Sequence, residues 1–573
     1  MNGSNKTTDT APDISVNPNG RPLSFKFKVW TTLLFVFLSF ALSSVPFLIA
    51  EFKTPPGQQF LGQVNNYPDY NQYFSYIHQS YEGKWLFDNR VTYLPSRPIL
   101  LNLEWLGLGK LMRIFHLSEN VLIQVWRFLG AASLIGGFAF LAANFPLSRK
   151  RWMVALGVFS LGGGFGSLVS LAVAAHLAPA SAVHSLAIDM WGNLHPFQVI
   201  MGNPHAALAT GVELFGFGCF LISERRQSLW YSCLAGLIIF ISGFMRPYDL
   251  ISFGLILLIF NLVETALHGF SVRQTVRRWL PGVIVLPTLA YNFWVFTFDP
   301  VFKYWAIQNN NASYLPHFYV YYLAFGLAGL LALNRVWQFK RQPFILEERF
   351  LLVWFVPLFT LMYMGTLIPA LSGSPSIGYT LLTPLLLLGV LTRRFDNFGP
   401  DWKWKLRPSW IIAVVTCWIV FTSVCTVGFY SLKFFSGKTF QASHRLEVYA
   451  DRREIEAWRW IDGHLPPDKM IMATSAPCNL MARLTSLHKV TGHWSMTPHY
   501  YELGDRLSRF YSSHELGTNE LNLLKEFKAD YIYFGPDERR DGSSDLEKYF
   551  ATGLVFQNEL VSIYEISHSQ IKK

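Results

Sequence analysis

Long apolar runs, separated by short charged turns, set the pattern of this chain. The first run, Trp30–Ala50, follows Lys26 and Lys28. A helix needs roughly 20 apolar residues to cross the hydrocarbon core, and this run supplies them. It is too long for the core of a signal peptide and lacks a small-residue cleavage site, so it reads as a retained first helix. Further runs lie near 119–144, 153–176, 207–223, 229–245, 250–268, 280–298, 318–335, 350–370, 377–392 and 409–430. Together they predict about 11 transmembrane helices.

The charges between the runs test that count. With the N-terminus inside, the inside loops are 145–152, 224–228, 269–279, 336–349 and 393–408, and each carries at least two Lys or Arg. The short outside loops at 177–206, 246–249, 299–317 and 371–376 carry only Arg246 and Lys303. Such an asymmetry is what the positive-inside rule demands. It predicts a multi-pass cell-membrane protein with a cytoplasmic N-terminus.

Two segments break the short-loop pattern, and both fall outside. Residues 51–118 mix polar and aromatic positions and end in Ile99–Phe115, where leucines alternate with Glu104, Lys110 and Arg113. That stretch predicts an amphipathic helix lying in the membrane interface. Residues 431–573 alternate helix-like runs (Arg452–Gly463, Tyr500–His514, Asn519–Lys528) with strand-like runs (Met470–Thr474, Tyr531–Phe534, Leu554–Ile566). This predicts a small extracytoplasmic α/β domain. The expected order is a disordered cytoplasmic tail (1–24), a transmembrane domain (25–430) with its first outer loop at 51–118, and the outer domain (431–573).

Composition agrees. Of 573 residues, 51% are hydrophobic and only 15% charged, against about 25% charged in an ordinary globular chain. The net charge of +11 is explained by the inside loops and needs no nucleic-acid partner. The five cysteines form no CxxC and no disulfide framework, so they read as small hydrophobes.

Candidate chemistry concentrates in the outside loops. The first holds Asp69, Glu82 and Asp88, with Arg90 and Arg97 among many aromatic rings. A carboxylate can deprotonate an acceptor, a guanidinium can grip a phosphate in bidentate fashion, and rings suit sugar faces or the membrane interface. An aromatic belt with solvated charges is the competing reading. A second cluster, Asp189, His195 and His205, lies between the third and fourth runs. Its histidine spacing is no metal signature, and an ordered loop with a capping Asp explains it as well. A third, Arg246-Pro247-Tyr248-Asp249, offers either an ion pair or a phosphate contact. Lys303, Tyr304, Trp305 and His317 add to the same side, as does the glycosylation triplet Asn311-Ala312-Ser313. Charges inside the runs are few (Arg127, Glu213, Glu264), whereas a transporter would concentrate them there.

Pro68-Asp69-Tyr70, Tyr73-Phe74-Ser75-Tyr76 and Glu82-Gly83-Lys84-Trp85, set in a long outer loop after the first helix, resemble the GT-C glycosyltransferases. These include the protein O-mannosyltransferases, the aminoarabinose transferases and the oligosaccharyltransferase catalytic subunits. Glu456–Ile461, Thr491-Gly492-His493-Trp494, and Asp530–Pro536 with Glu538-Arg539 are similar to the outer domains of such proteins. The resemblance implies an inverting transfer from a polyprenyl-phosphate-linked sugar donor, with Asp69 as base and Asp189 as the second acidic position. Arg90, Arg97 and Arg246 would bind the donor phosphate. Glu82, His195, His205 and Asp249 would support them. Asp69 is followed by Tyr70 rather than by a second acid, and WWDYG is absent. The first departure weakens metal dependence, so no divalent metal is indicated; the second argues against sequon-directed N-glycosylation. A flippase of a lipid-linked glycan and a non-catalytic membrane scaffold remain the alternatives.

Overall fold

The computed structural model describes residues 23–311, 317–340, 343–364, 380–391, 408–435, 445–541 and 546–566. Most of the predicted tail, most of the loops at 371–376 and 393–408, and Ala312-Ser313 of the glycosylation triplet lie outside the described residues.

The first helix, α1 (Phe25–Phe52), starts where the Ser24 hydroxyl accepts the Phe27 N–H at 3.2 Å. Its 28 residues extend about 42 Å, enough to cross a bilayer core of about 30 Å. Two helices follow in the predicted first loop, α2 (Tyr67–Tyr81) and α3 (Leu103–Phe115); α4 (Glu119–Ala142) then crosses back. Among the described residues six helices are long and apolar enough to span, or seven when the pair Arg149–Leu161 and Gly166–Ala174, bent by 50°, counts as one. The other four predicted runs also form helices, but shorter ones. Leu229–Gly243 has 15 residues. Leu327–Trp337 is cut from Phe318–Leu323 by Gly326. Leu346–Met364 opens on Glu347, Glu348 and Arg349, and Leu382–Val390 has nine residues.

The spans pack through small residues. A Cβ on Gly137 would sit 2.3 Å from the Gly211 carbonyl oxygen, so α4 and the Pro204–Arg226 helix meet backbone to backbone. The charges inside the spans are held locally. Arg127 donates to Gln124, Ser43, Ser44 and the Ile200 carbonyl. At the opposite helix ends from α3, Glu224 takes Arg277 and Arg278, and Glu264 takes Arg349.

The C-terminal segment is stitched to the chain after α1. Strand β1 (Gln58–Phe60) pairs antiparallel with β2 (Tyr449–Asp451). A five-stranded sheet follows in the order β4-β3-β5-β7-β6, with β3 Met470–Met472, β4 His488–Lys489, β5 Tyr531–Phe534, β6 Leu554–Gln557 and β7 Ser562–Glu565. β3 runs parallel to both β4 and β5, and the last two strands are antiparallel. Helices Arg452–His464, Tyr500–Tyr511 and Thr518–Phe527 accompany it. The single strand expected over Leu554–Ile566 is a hairpin, broken where Asn558 turns the chain with bonds from Leu560 and Val561.

The larger difference is α2. Its buried positions mix Tyr70, Phe74 and Ile77 with amides and hydroxyls, Asn71, Gln72, Ser75 and Gln79, so the apolar period is masked in the sequence. Two of the amides dock the helix: Asn71 Nδ2 donates to Asn479 Oδ1 at 2.9 Å, and Gln79 exchanges two bonds with the Asp88 backbone.

Candidate active site

Asp69 stands in the first turn of α2, after Pro68, where the positive end of the helix favours a carboxylate. The Asn66 cap before it adopts a left-handed φ of 56°. The Asp69 side chain is 26% exposed, and its Oδ1 lies 2.9 Å from Nε2 of His493, which is buried. The His493 tautomer follows from its other nitrogen. Nδ1 accepts the backbone N–H groups of Ser495 (3.2 Å) and Met496 (3.3 Å). It is therefore unprotonated, and Nε2 carries the hydrogen donated to Asp69. The His493 N–H is held in turn by Thr497 Oγ1, whose hydroxyl donates to the Val91 carbonyl at 2.6 Å. The carboxylate is thus aimed by a neutral imidazole locked in the loop after β4.

The same wall continues through residues 82–97. Asn89 Nδ2 donates to the Met496 carbonyl at 2.7 Å, and its backbone N–H donates to Ser96 Oγ at 2.9 Å. Arg97, next to Ser96, is exposed, and its guanidinium has no hydrogen bond or ion pair among the described residues. Arg90 differs. It is buried and donates to both Glu82 oxygens at 3.0 and 2.7 Å. Burial opposes ionisation of Glu82, yet Arg90 and Ser486 hold its carboxyl below the ordinary value. A buried guanidinium needs such a partner. Arg90, expected at the donor phosphate, is held in an ion pair with Glu82.

Arg246 makes the ion pair that was one of its two expected roles. It is fully buried, donates to Thr210 Oγ1 (2.8 Å) and the Tyr248 hydroxyl (3.0 Å), and lies 3.2 Å from Asp249. Beside it, His205 Nδ1 meets Glu104 Oε2 at 2.7 Å, and Glu104 Oε1 accepts Trp126 Nε1 at 2.6 Å. Tyr73, one turn after Asp69 on α2, lies over His205 at 5.1 Å and stacks on Trp105. Asp249 Oδ2 and Glu213 Oε2 are buried without a hydrogen-bond partner. This group forms a polar layer beneath α2.

Asp189 and His195 occupy a third place. Asp189 Oδ1 accepts the Gly166 N–H at 3.0 Å and closes the break in the bent helix pair. A Cβ on Gly164 would lie 2.0 Å from the Ala324 carbonyl, so only glycine lets that backbone so close. Burial pushes the Asp189 carboxyl up to about 7 against its backbone bonds, and Oδ2 has no partner. Burial also pushes His195 down to about 4, so it is neutral and donates Nε2–H to the Ala324 carbonyl at 2.7 Å. Met190, the neighbour of Asp189, accepts the Tyr430 hydroxyl, which in turn accepts Asn65 Nδ2, two residues before α2. Asp69 is thus joined to His493, Glu82 to Arg90 and Arg246 to Asp249, while Asp69 and Asp189 do not touch.

His493, Glu104 and Glu213 went unassigned in the sequence. The only signal for His493 was its place in Thr491-Gly492-His493-Trp494, a polar stretch that resembles the outer domains. Among the described residues no three His, Cys, Asp or Glu side chains converge to hold a metal ion.

The architecture matches solved structures of membrane glycosyltransferases. The oligosaccharyltransferase of Archaeoglobus fulgidus, tethered to an acceptor peptide, superposes with a TM-score of 0.52 at 12% identity over 89% of this chain and 69% of that one. The same archaeal enzyme, AglB, with an inhibitory peptide and a dolichol-phosphate, gives 0.50 at 12% identity over 92% and 71%. The mycobacterial arabinofuranosyltransferase AftD gives 0.51 at 11% identity over 95% of this chain and 42% of that one. The chain has the GT-C-type fold of these multi-pass membrane proteins. No protein-family profile matches the sequence, and a search of curated proteins found no match.

Proposed function

We propose that the chain is an inverting membrane glycosyltransferase that moves a sugar from a polyprenyl-phosphate donor to an acceptor on the extracytoplasmic side. The observation that carries this reading is the Asp69–His493 pair, a partly exposed carboxylate aimed by a neutral imidazole at the seam between α2 and the C-terminal sheet. Asp69 takes the proton of the acceptor hydroxyl or amine as that atom attacks the anomeric carbon. The bond from that carbon to the phosphate oxygen breaks, and its electron pair leaves with the phosphate. Arg97 meets the departing charge, since its guanidinium is exposed and lies on the wall that holds His493. A fixed positive group aimed where charge develops lowers the barrier without reorganisation.

Asp189 acts from a distance by holding the bent helix pair that lies against the site's floor. The lipid tail lies along the spans. AglB, with the same fold, was solved with a dolichol-phosphate, in keeping with a donor of this class. Of the three charges inside the runs, Arg127 and Glu264 have local partners. The protein in proteoliposomes, given polyprenyl-phosphate sugars labelled at the anomeric carbon and membrane extracts as acceptor, should release lipid phosphate and form a product of inverted configuration. Retained configuration, or no transfer from any such donor, would overturn the reading.

A further inference from the structure

Beside the Asp69–His493 pair lies a cavity of about 200 Å3 that the transfer chemistry does not use. Its aromatic walls are Tyr304, Trp494, Tyr500 and Tyr501. Tyr304 belongs to the Pro300–Asn311 helix; the other three follow His493 in the C-terminal part. Its polar groups are Gln308, His499 and Glu502. We propose that this cavity is an acceptor subsite for a saccharide, holding the sugar unit next to the one that receives the transfer. The proposal rests on the reading of Asp69 as base.

Four properties point to a sugar. Trp494 directly follows His493, and their rings lie 5.7 Å apart, so one wall of the cavity adjoins the residue that aims the carboxylate. Tyr304 and His499 face each other at 5.3 Å, the Tyr304 hydroxyl accepts Gln308 Nε2 at 2.6 Å, and Glu502 lies 3.7 Å from His499. Flat rings beside amide, imidazole and carboxylate groups match a pyranose or furanose, whose C–H faces stack while its hydroxyls hydrogen-bond. No Lys or Arg is among the described residues that line it, which disfavours phosphate or an anionic lipid headgroup. The volume agrees. Pockets for drug-sized molecules run from about 300 to 1,000 Å3, and this smaller one suits a single sugar ring.

The competing reading is a set of interfacial aromatic anchors. Tyr501 is 73% exposed and suits that role, but Tyr304, Trp494 and Tyr500 line one cavity.

The test uses the full chain in lipid nanodiscs on an array of pentose-, hexose- and aminosugar-terminated oligosaccharides, with a peptide library as the comparison. Asp69→Asn should keep oligosaccharide binding. Trp494→Ala and Tyr304→Ala should each weaken it about tenfold or more, and in transfer assays should raise the acceptor KM more than they lower kcat. Binding of no oligosaccharide, binding indifferent to Trp494 and Tyr304, or Trp494-dependent binding of peptides alone would each overturn the subsite. The two readings fail separately. Wild-type transfer by Asp69→Asn with Trp494-dependent glycan binding removes the base and leaves the subsite. Loss of transfer in Asp69→Asn with Trp494-independent binding does the reverse.

Discussion

His493 donates its Nε2 hydrogen to Asp69 Oδ1 at 2.9 Å across 424 positions of sequence, and this bond joins the first long loop to the C-terminal sheet. The imidazole is buried while the carboxylate keeps a quarter of its surface. One partner therefore orients and the other meets the substrate.

If His493 only aims Asp69, His493→Ala should slow transfer and leave donor KM nearly unchanged. Bonds to charged groups are worth about 1.5–3 kcal/mol, which corresponds to a loss of about 10- to 100-fold in kcat. His493→Gln, which retains a donor, should recover part of it. Equal rates for the Ala variant and the wild type would show that the bond serves folding alone.

The two arginines of the first loop should separate cleanly. Glu82→Gln leaves buried Arg90 without its anion, and should lower stability by about 1.5–3 kcal/mol in thermal unfolding. Arg97→Glu should leave the melting temperature within error, because its side chain is exposed. It should instead raise the donor KM and reduce transfer. A destabilised Arg97→Glu with unaltered kinetics would reverse these roles.

Asp189 makes stability depend on pH. Burial pushes its carboxyl up to about 7, so the folded chain keeps this proton between the ordinary carboxylate range and about pH 7, where the unfolded chain has lost it. Its contribution is therefore greatest at low pH and falls as pH rises through that window. Asp189→Asn cannot ionise. Its stability relative to wild type should climb from pH 4 to 7 and level off above. His195 has the opposite sign, since burial pushes it down to about 4, but both chains carry it and it cancels in the difference. A pH-independent difference in urea unfolding would contradict this.

Gly164→Ala should destabilise the chain by about 1–3 kcal/mol or more. Its Cβ would fall 2.0 Å from the Ala324 carbonyl and 2.8 Å from Asp189 Cγ. Gly428→Ala, whose Cβ would meet nothing within 4 Å, is the matched control. A melting temperature for Gly164→Ala equal to that control would show that the break between the bent helices has room to spare.

These outcomes separate what sequence can show from what it cannot. The apolar runs were legible because a bilayer imposes one strong pattern on every span. The lengths were less so. Gly326 and the glycines at 162–164 cut runs that hydropathy reads as continuous. Helix α2 was hard to see because Asn71, Gln72, Ser75 and Gln79 are interspersed among its buried apolar positions Tyr70, Phe74 and Ile77, which blurs the helical period. Asp69 could be picked from its loop, but not its partner, since His493 arrives only when β4 and its following loop dock on α2. The burial of two arginines was hidden for a related reason. Arg90 and Arg246 look alike in sequence as exposed-loop cations, yet Glu82 and Asp249 neutralise them inside the fold.

The central claim is that Asp69 is the base. Initial rates of sugar transfer from a polyprenyl-phosphate donor, compared between wild type and Asp69→Asn in the same proteoliposomes, test it most directly. A positioned base contributes about 10²–10⁴-fold, and a loss of that size with an unchanged melting temperature is expected. A folded Asp69→Asn protein that transfers sugar at the wild-type rate would contradict the account.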